Sequence, residues 1–160
     1  MISLITNSPE ETYNVAYRVA QHAYPGDIYC LEGGLASGKT VFAQGFARGL
    51  GITEEVRSPG FAIVQEYVHD PPLYHMDFYR LSDAADLLGM GADEYFSGTG
   101  ICLIEWPDRA GDILPIEIVR VQINTGSGEG RKIMISAASA STSECLERLK
   151  RIDEIRHALF

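Results

Sequence analysis

Gly33, Gly38, Lys39 and Thr40 stand in the order G-x-x-x-x-G-K-T within the stretch LEGGLASGKT. Each residue type has a task in holding phosphate. Backbone N–H groups left open by the glycines wrap phosphate oxygens, a lysine ammonium offsets their charge, and a threonine hydroxyl reaches a magnesium ion. The composition of the chain puts the chance occurrence of this motif at roughly 0.003, so a plain glycine turn beside a surface lysine is the weaker reading. The candidate phosphate-binding set is therefore Gly33, Gly34, Leu35, Ala36, Ser37, Gly38, Lys39 and Thr40. Lys39 is expected at the terminal phosphates and Thr40 at the metal.

A phosphate site of this kind needs an acid at the end of a neighbouring buried strand. Two are available, Asp77 in LYHMDFYR and Glu105 in ICLIEW, and spacing alone does not choose between them. Arg80 and Arg109 are cations that such a site can use, but an arginine just after a strand more often makes an ordinary salt bridge. His75, inside an apolar run, reads as a hydrogen-bonded structural residue rather than a base. Trp106 fits either a core anchor or a partner contact. DRAG, residues 108 to 111, matches the D-x-x-G of GTPases, yet no N-K-x-D guanine-reading sequence occurs, which argues against GTP.

These residues need elements to hold them. Ser8 as N-cap, Pro9 at the first helical position and Glu11 three residues after the cap predict a helix running to about Pro25 and Gly26. DIYCLEG reads as a strand feeding the glycine loop. Val41, Phe42, Phe46 and Leu50 then recur at helical spacing up to Gly51. GFAIVQEYV and LYHMDFYR are β-prone runs, expected as a hairpin or adjacent strands across HDPP, whose prolines cannot continue a ladder. SDAADLLGMGADEYF reads as short helical pieces, ICLIEW as a buried strand and WPDRAGDILP as a loop. IEIVRVQIN and RKIMISAA are expected to pair across TGSGEG at a sheet edge, and STSECLERLKRIDEIRHALF, residues 141–160, is expected as a closing helix that starts with a Ser141 to Glu144 capping box.

The resulting expectation is one α/β domain over residues 1–160: a three-layer sandwich of the P-loop NTPase kind, with a mixed, mostly parallel central sheet, flanking helices and an antiparallel edge hairpin. Thirteen Lys plus Arg against twenty-two Asp plus Glu give a net charge of -9, which opposes unaided binding to a nucleic-acid backbone. Cys30, Cys102 and Cys145 are odd in number and lack C-x-x-C spacing, which argues against a disulfide scaffold or a zinc site. With no export signal or membrane span in view, a cytoplasmic protein is expected.

The ordered set LEGGLASGKTVFAQGFARGLG, RSPGFAIVQEY, LYHMDFYRL and ICLIEWPD resembles the TsaE family, the small bacterial ATPases of tRNA threonylcarbamoyladenosine biosynthesis. The likeness spans roughly residues 8 to 115. It implies a protein that binds ATP and Mg²⁺, hydrolyses ATP and acts with the threonylcarbamoyl-transferring TsaB and TsaD families, touching tRNA only through them. By the same resemblance Glu105 and Thr40 hold the metal, Asp77 is the catalytic or water-orienting aspartate, and Ser58 and Pro59 lie in a nucleotide-responsive segment. The chain departs from the family pattern at Gly34, Ala36 and Gly60. If Ala36 needs a positive φ, its Cβ costs on the order of 1 kcal/mol, enough to weaken nucleotide binding several-fold. A small-molecule kinase and a nucleotide sensor without turnover are the alternative functions. The first is disfavoured because no arginine-rich lid segment is present.

Overall fold

In the computed structural model, residues 1–138 together with Leu146, Glu147 and Lys150 are described. The elements are β1 (Ile2–Thr6), α1 (Pro9–Ala20), β2 (Ile28–Glu32), α2 (Lys39–Leu50), β3 (Val64–Tyr67), β4 (Leu73–Asp77), α3 (Ala85–Gly89), α4 (Ala92–Ser97), β5 (Ile101–Glu105), β6 (Val119–Thr125) and β7 (Arg131–Ala137). Two 3-10 segments, Gly60–Ala62 and Pro107–Ile113, complete the order. The closing helix expected from Ser141 falls largely outside the described residues.

Seven strands form one sheet in the order β1-β7-β6-β2-β5-β4-β3. The four central strands, β6, β2, β5 and β4, run parallel, and antiparallel pairings flank them on both sides. The parallel strands need crossovers, and helices supply them. α1 and α2 cover one face, with Phe42 and Phe46 of α2 sharing a core with Tyr29, Leu31, Leu73 and Leu103 of the strands. α3, α4 and the second 3-10 segment cover the other over Cys30, Met76, Cys102 and Ile104. β5 is buried at every position, as expected of a central strand sandwiched between two layers.

The start of α1 follows the capping chemistry read from the sequence. Ser8 is extended, its Oγ accepts the Glu11 N–H at 3.2 Å, and Glu11 returns its carboxylate to the Asn7 N–H at 2.6 Å. The helix ends at Ala20, earlier than its breakers suggested. α2 closes on Gly51 at φ 97, the left-handed conformation that a helix C-terminus uses and glycine adopts without strain.

Four expectations are revised. β1 was not foreseen, although Ile2, Leu4 and Thr6 are buried and Ser3 and Ile5 exposed in strict alternation. The β6–β7 hairpin exists, but β1 pairs outside β7 and forms that edge of the sheet. Only Val64–Tyr67 of GFAIVQEYV is strand, because Gly60–Ala62 turns as a 3-10 segment and Ile63 takes φ 65. The expected loop after Trp106 is largely 3-10, broken at Gly111 with φ 53 and ψ -132.

Candidate functional site

The site lies at the C-terminal ends of β2, β5 and β4, where loops of open parallel sheets gather their functional groups. β2 runs directly into the Gly33–Gly38 loop, and α2 begins at Lys39. A Cβ on Gly33 would stand 2.4 Å from the Ile123 carbonyl oxygen and 2.5 Å from Ser37 Oγ, so this position admits glycine alone. Gly38 takes φ 109 as the helix N-cap. Ala36 sits at φ 57, so the positive φ that would make its Cβ costly is present. The Phe42 N–H is the first to bond back, to the Gly38 carbonyl at 2.9 Å. Earlier amides of α2 have no intrahelical partner, and with the helix dipole they make this end receptive to an anion.

Lys39 is buried and folded back on its own loop. Its Nζ donates to the Gly33 and Gly34 carbonyls, both at 2.7 Å, and lies 4.2 Å from the centre of the Trp106 ring. Burial pushes its pKa below the ordinary lysine value, while Glu105, Asp77 and Asp108, in that order, pull it back up. Thr40, on the first turn of α2, is exposed.

Parallel pairing of β4 and β5 sets Asp77 in register with Glu105 at the last position of each strand. The structure thus brings both candidate acids together, and neither is a casual surface carboxylate: Asp77 is 8% and Glu105 3% exposed. Asp77 Oδ2 accepts from Ser58 Oγ at 2.7 Å and its Oδ1 from the Tyr79 N–H at 3.0 Å. Glu105 Oε2 lies 3.1 Å from His75 Nε2. No cluster of three or more His, Cys, Asp or Glu side chains able to cage a metal occurs among the described residues. The oxygen donors that are present, a threonine hydroxyl and strand-end carboxylates, suit an ion such as Mg²⁺, which keeps waters and shares phosphate oxygens.

Arg80 and Arg109 both rest on aromatic rings, Arg80 4.9 Å from the centre of Phe61 and Arg109 5.8 Å from that of Tyr79. Trp106 packs on Tyr79 as well as facing Lys39, with ring centres 4.9 Å apart. The Ser58 segment reaches the site through Asp77, and the Ile63 carbonyl accepts the Asp77 N–H at 2.9 Å.

One residue of the site was missed in the sequence. Arg131, at the start of β7, donates from Nε to the Ser37 carbonyl at 2.7 Å and from Nη2 to the Ala36 carbonyl at 3.3 Å. It clamps the outer side of the loop. Nothing in local spacing links it to residues 94 and 95 positions earlier; only the sheet order does. A small cleft beside it is lined by Pro9, Thr12, Gly38, Val41, Glu129 and Arg131. A roomier cavity of about 610 Å³ lies between β6 and the Pro107–Ile113 segment, and none of Gly33 to Thr40 lines it.

A parallel-centred sheet, a glycine loop entering a helix and two acids on adjoining strand ends define an α/β protein of the P-loop class. Comparison with known proteins narrows this. The family described as "Threonylcarbamoyl adenosine biosynthesis protein TsaE" matches residues 6–133. The tRNA threonylcarbamoyladenosine biosynthesis protein TsaE of Bacillus subtilis is 44% identical over 151 residues, covering 94% of each chain. Its namesake in Treponema pallidum is 37% identical over 132 residues, covering 82% of this chain and 98% of its own. A crystal structure of Bacillus subtilis YdiB superposes with a TM-score of 0.83 at 40% identity, covering 95% of both chains. The chain belongs to the TsaE family.

Proposed function

We propose that this protein binds and hydrolyses ATP with Mg²⁺, and that it does so in tRNA threonylcarbamoyladenosine biosynthesis through the threonylcarbamoyl-transferring TsaB and TsaD proteins. The observation that carries the reading is the in-register pair Asp77 and Glu105, buried beside Lys39 at the mouth of the Gly33–Thr40 loop. The relatives named above supply the biosynthetic setting.

The open amides at the end of the loop and the start of α2, among them those of Gly38, Lys39 and Thr40, bind phosphate oxygens, and the α2 dipole adds favourable potential at that end. Lys39 trades the Gly33 and Gly34 carbonyls for the terminal phosphates, so its ammonium charge is held in waiting by two neutral acceptors. Thr40 Oγ and a Glu105 oxygen would hold Mg²⁺, which when bound neutralises charge on the phosphates. Asp77 orients the attacking water once Ser58 Oγ releases its Oδ2, which ties hydrolysis to the position of the Ser58–Ile63 segment. Arg131 fixes the Ala36 and Ser37 carbonyls outward and keeps the loop's amides turned the other way.

The test is nucleotide binding and phosphate release by the full chain, with and without the TsaB and TsaD proteins. Lys39→Ala should abolish ATP-dependent stabilisation. Glu105→Ala should retain ATP but lose the magnesium response. An identical response of wild type and both variants would defeat the site assignment. ATP-dependent stabilisation with no phosphate release, partners included, would leave a nucleotide sensor and remove the enzyme.

A further inference from the structure

His75 is fully buried, and its imidazole serves a single visible partner. Nε2 lies 3.1 Å from Glu105 Oε2, while Nδ1 is buried with no hydrogen-bond partner among the described residues. This asymmetry favours a proton on Nε2. A proton on Nδ1 would bury a donor without an acceptor and turn the Nε2 lone pair against a carboxylate oxygen, two penalties at once. A proton on Nε2 makes the hydrogen bond and leaves only a bare ring lone pair at Nδ1.

The strands dictate the contact. Leu73, His75 and Asp77 alternate onto the face of β4 that also carries Leu103 and Glu105 on β5, with His75 opposite Leu103 and Asp77 opposite Glu105. The imidazole therefore sits one step inside the acid pair and reaches up to Glu105. Filling that space requires no polar group: a leucine would occupy it without desolvation cost, so packing alone gives no reason for a histidine with an idle nitrogen.

We infer that His75 is a positioning residue for Glu105: its Nε2–H holds one carboxylate oxygen so that the other is presented to the magnesium ion of a bound nucleotide. This rests on the magnesium-nucleotide reading above. Donors that orient a ligating carboxylate typically account for 10–100-fold in metal affinity, and the same order is expected here.

The experiment is ADP binding to the full chain in EDTA and across a Mg²⁺ titration, for wild type, Glu105→Ala, His75→Leu, His75→Gln and the His75→Leu/Glu105→Ala double variant. In EDTA His75→Leu and His75→Gln should bind ADP within about twofold of wild type. The half-saturating Mg²⁺ concentration should rise about tenfold or more in His75→Leu, and His75→Gln, which keeps an N–H donor, should recover part of it. The double variant should be no worse than Glu105→Ala alone, because the histidine acts only through that carboxylate. A wild-type Mg²⁺ midpoint in His75→Leu, or effects that multiply in the double variant, would overturn the inference. Should His75→Leu fail to fold, the ring-nitrogen spectrum of ¹⁵N-labelled wild type decides: a protonated Nε2 supports the inference and an unprotonated Nε2 overturns it. Wild type that binds ADP with no Mg²⁺ dependence would instead bring down the underlying functional reading, and the inference with it.

Discussion

Ala36 holds a left-handed backbone conformation at φ 57, and Arg131 grips its carbonyl at 3.3 Å. A Cβ in that conformation costs roughly 1–2 kcal/mol. Replacing it by glycine removes the strain but enlarges the freedom of the unfolded chain, which returns about 0.5–1 kcal/mol of the gain. Ala36→Gly is therefore expected to stabilise the protein by about 0.5–1 kcal/mol, a rise in Tm of roughly 1–4 °C in a chain of this size. A thermal melt with an unchanged or lowered Tm would show that the loop carries the alanine without strain. At this scale the sequence was informative because the motif places chemistry by spacing. Lys39, Asp77 and Glu105 were nameable in advance, and the structure brings the three together. Arg131 was not, since its role depends on which strand ends up beside which. Neither was the partner of His75, because two residues thirty positions apart meet only through the β4–β5 register.

Among the helices, α1 and α2 pack backbone to backbone, and glycines allow it. A Cβ on Gly45 would stand 2.2 Å from the Tyr13 carbonyl oxygen, and one on Gly49 2.2 Å from that of Tyr17. The two positions are a helical turn apart, so α2 lies against the backbone of α1 along a seam. Interior helical glycines cost stability against alanine, and this contact is what they gain in exchange. Gly45→Ala must push the helices apart; overpacking of this kind costs about 1–3 kcal/mol. Denaturant unfolding should register that loss, and a stability equal to wild type would mean that the helices separate freely. The apolar spacing of Phe42, Phe46 and Leu50 revealed the buried side of α2, but glycines leave no periodic apolar mark, so the seam was invisible beforehand. β1 was illegible for a related reason: five residues of alternation are too short to stand out until a neighbouring strand is known.

For the whole molecule, charge decides what can be bound without help. With a net charge of -9, the chain as a whole repels a phosphate backbone, and the cations placed near the loop, Lys39 and Arg131, are engaged with loop carbonyls. Filter or fluorescence binding at physiological salt is expected to detect no affinity for bare tRNA, with tRNA association appearing only when the TsaB and TsaD proteins are present. Tight binding of tRNA by the isolated chain would contradict the division of labour proposed above. The three-layer architecture was legible because apolar runs alternated with capped helices along the chain.

The pairing of β1 with β7, from Ile2 opposite Ile135 to Thr6 opposite Arg131, has a bearing on biogenesis. On a ribosome, the N-terminal strand has no ladder to join until the stretch from Arg131 to Ala137 has emerged, and that stretch also delivers the guanidinium that braces Ala36 and Ser37. Sheet closure and bracing of the glycine loop are thus one event, and a nascent chain halted before it carries the glycine motif without the brace that shapes it.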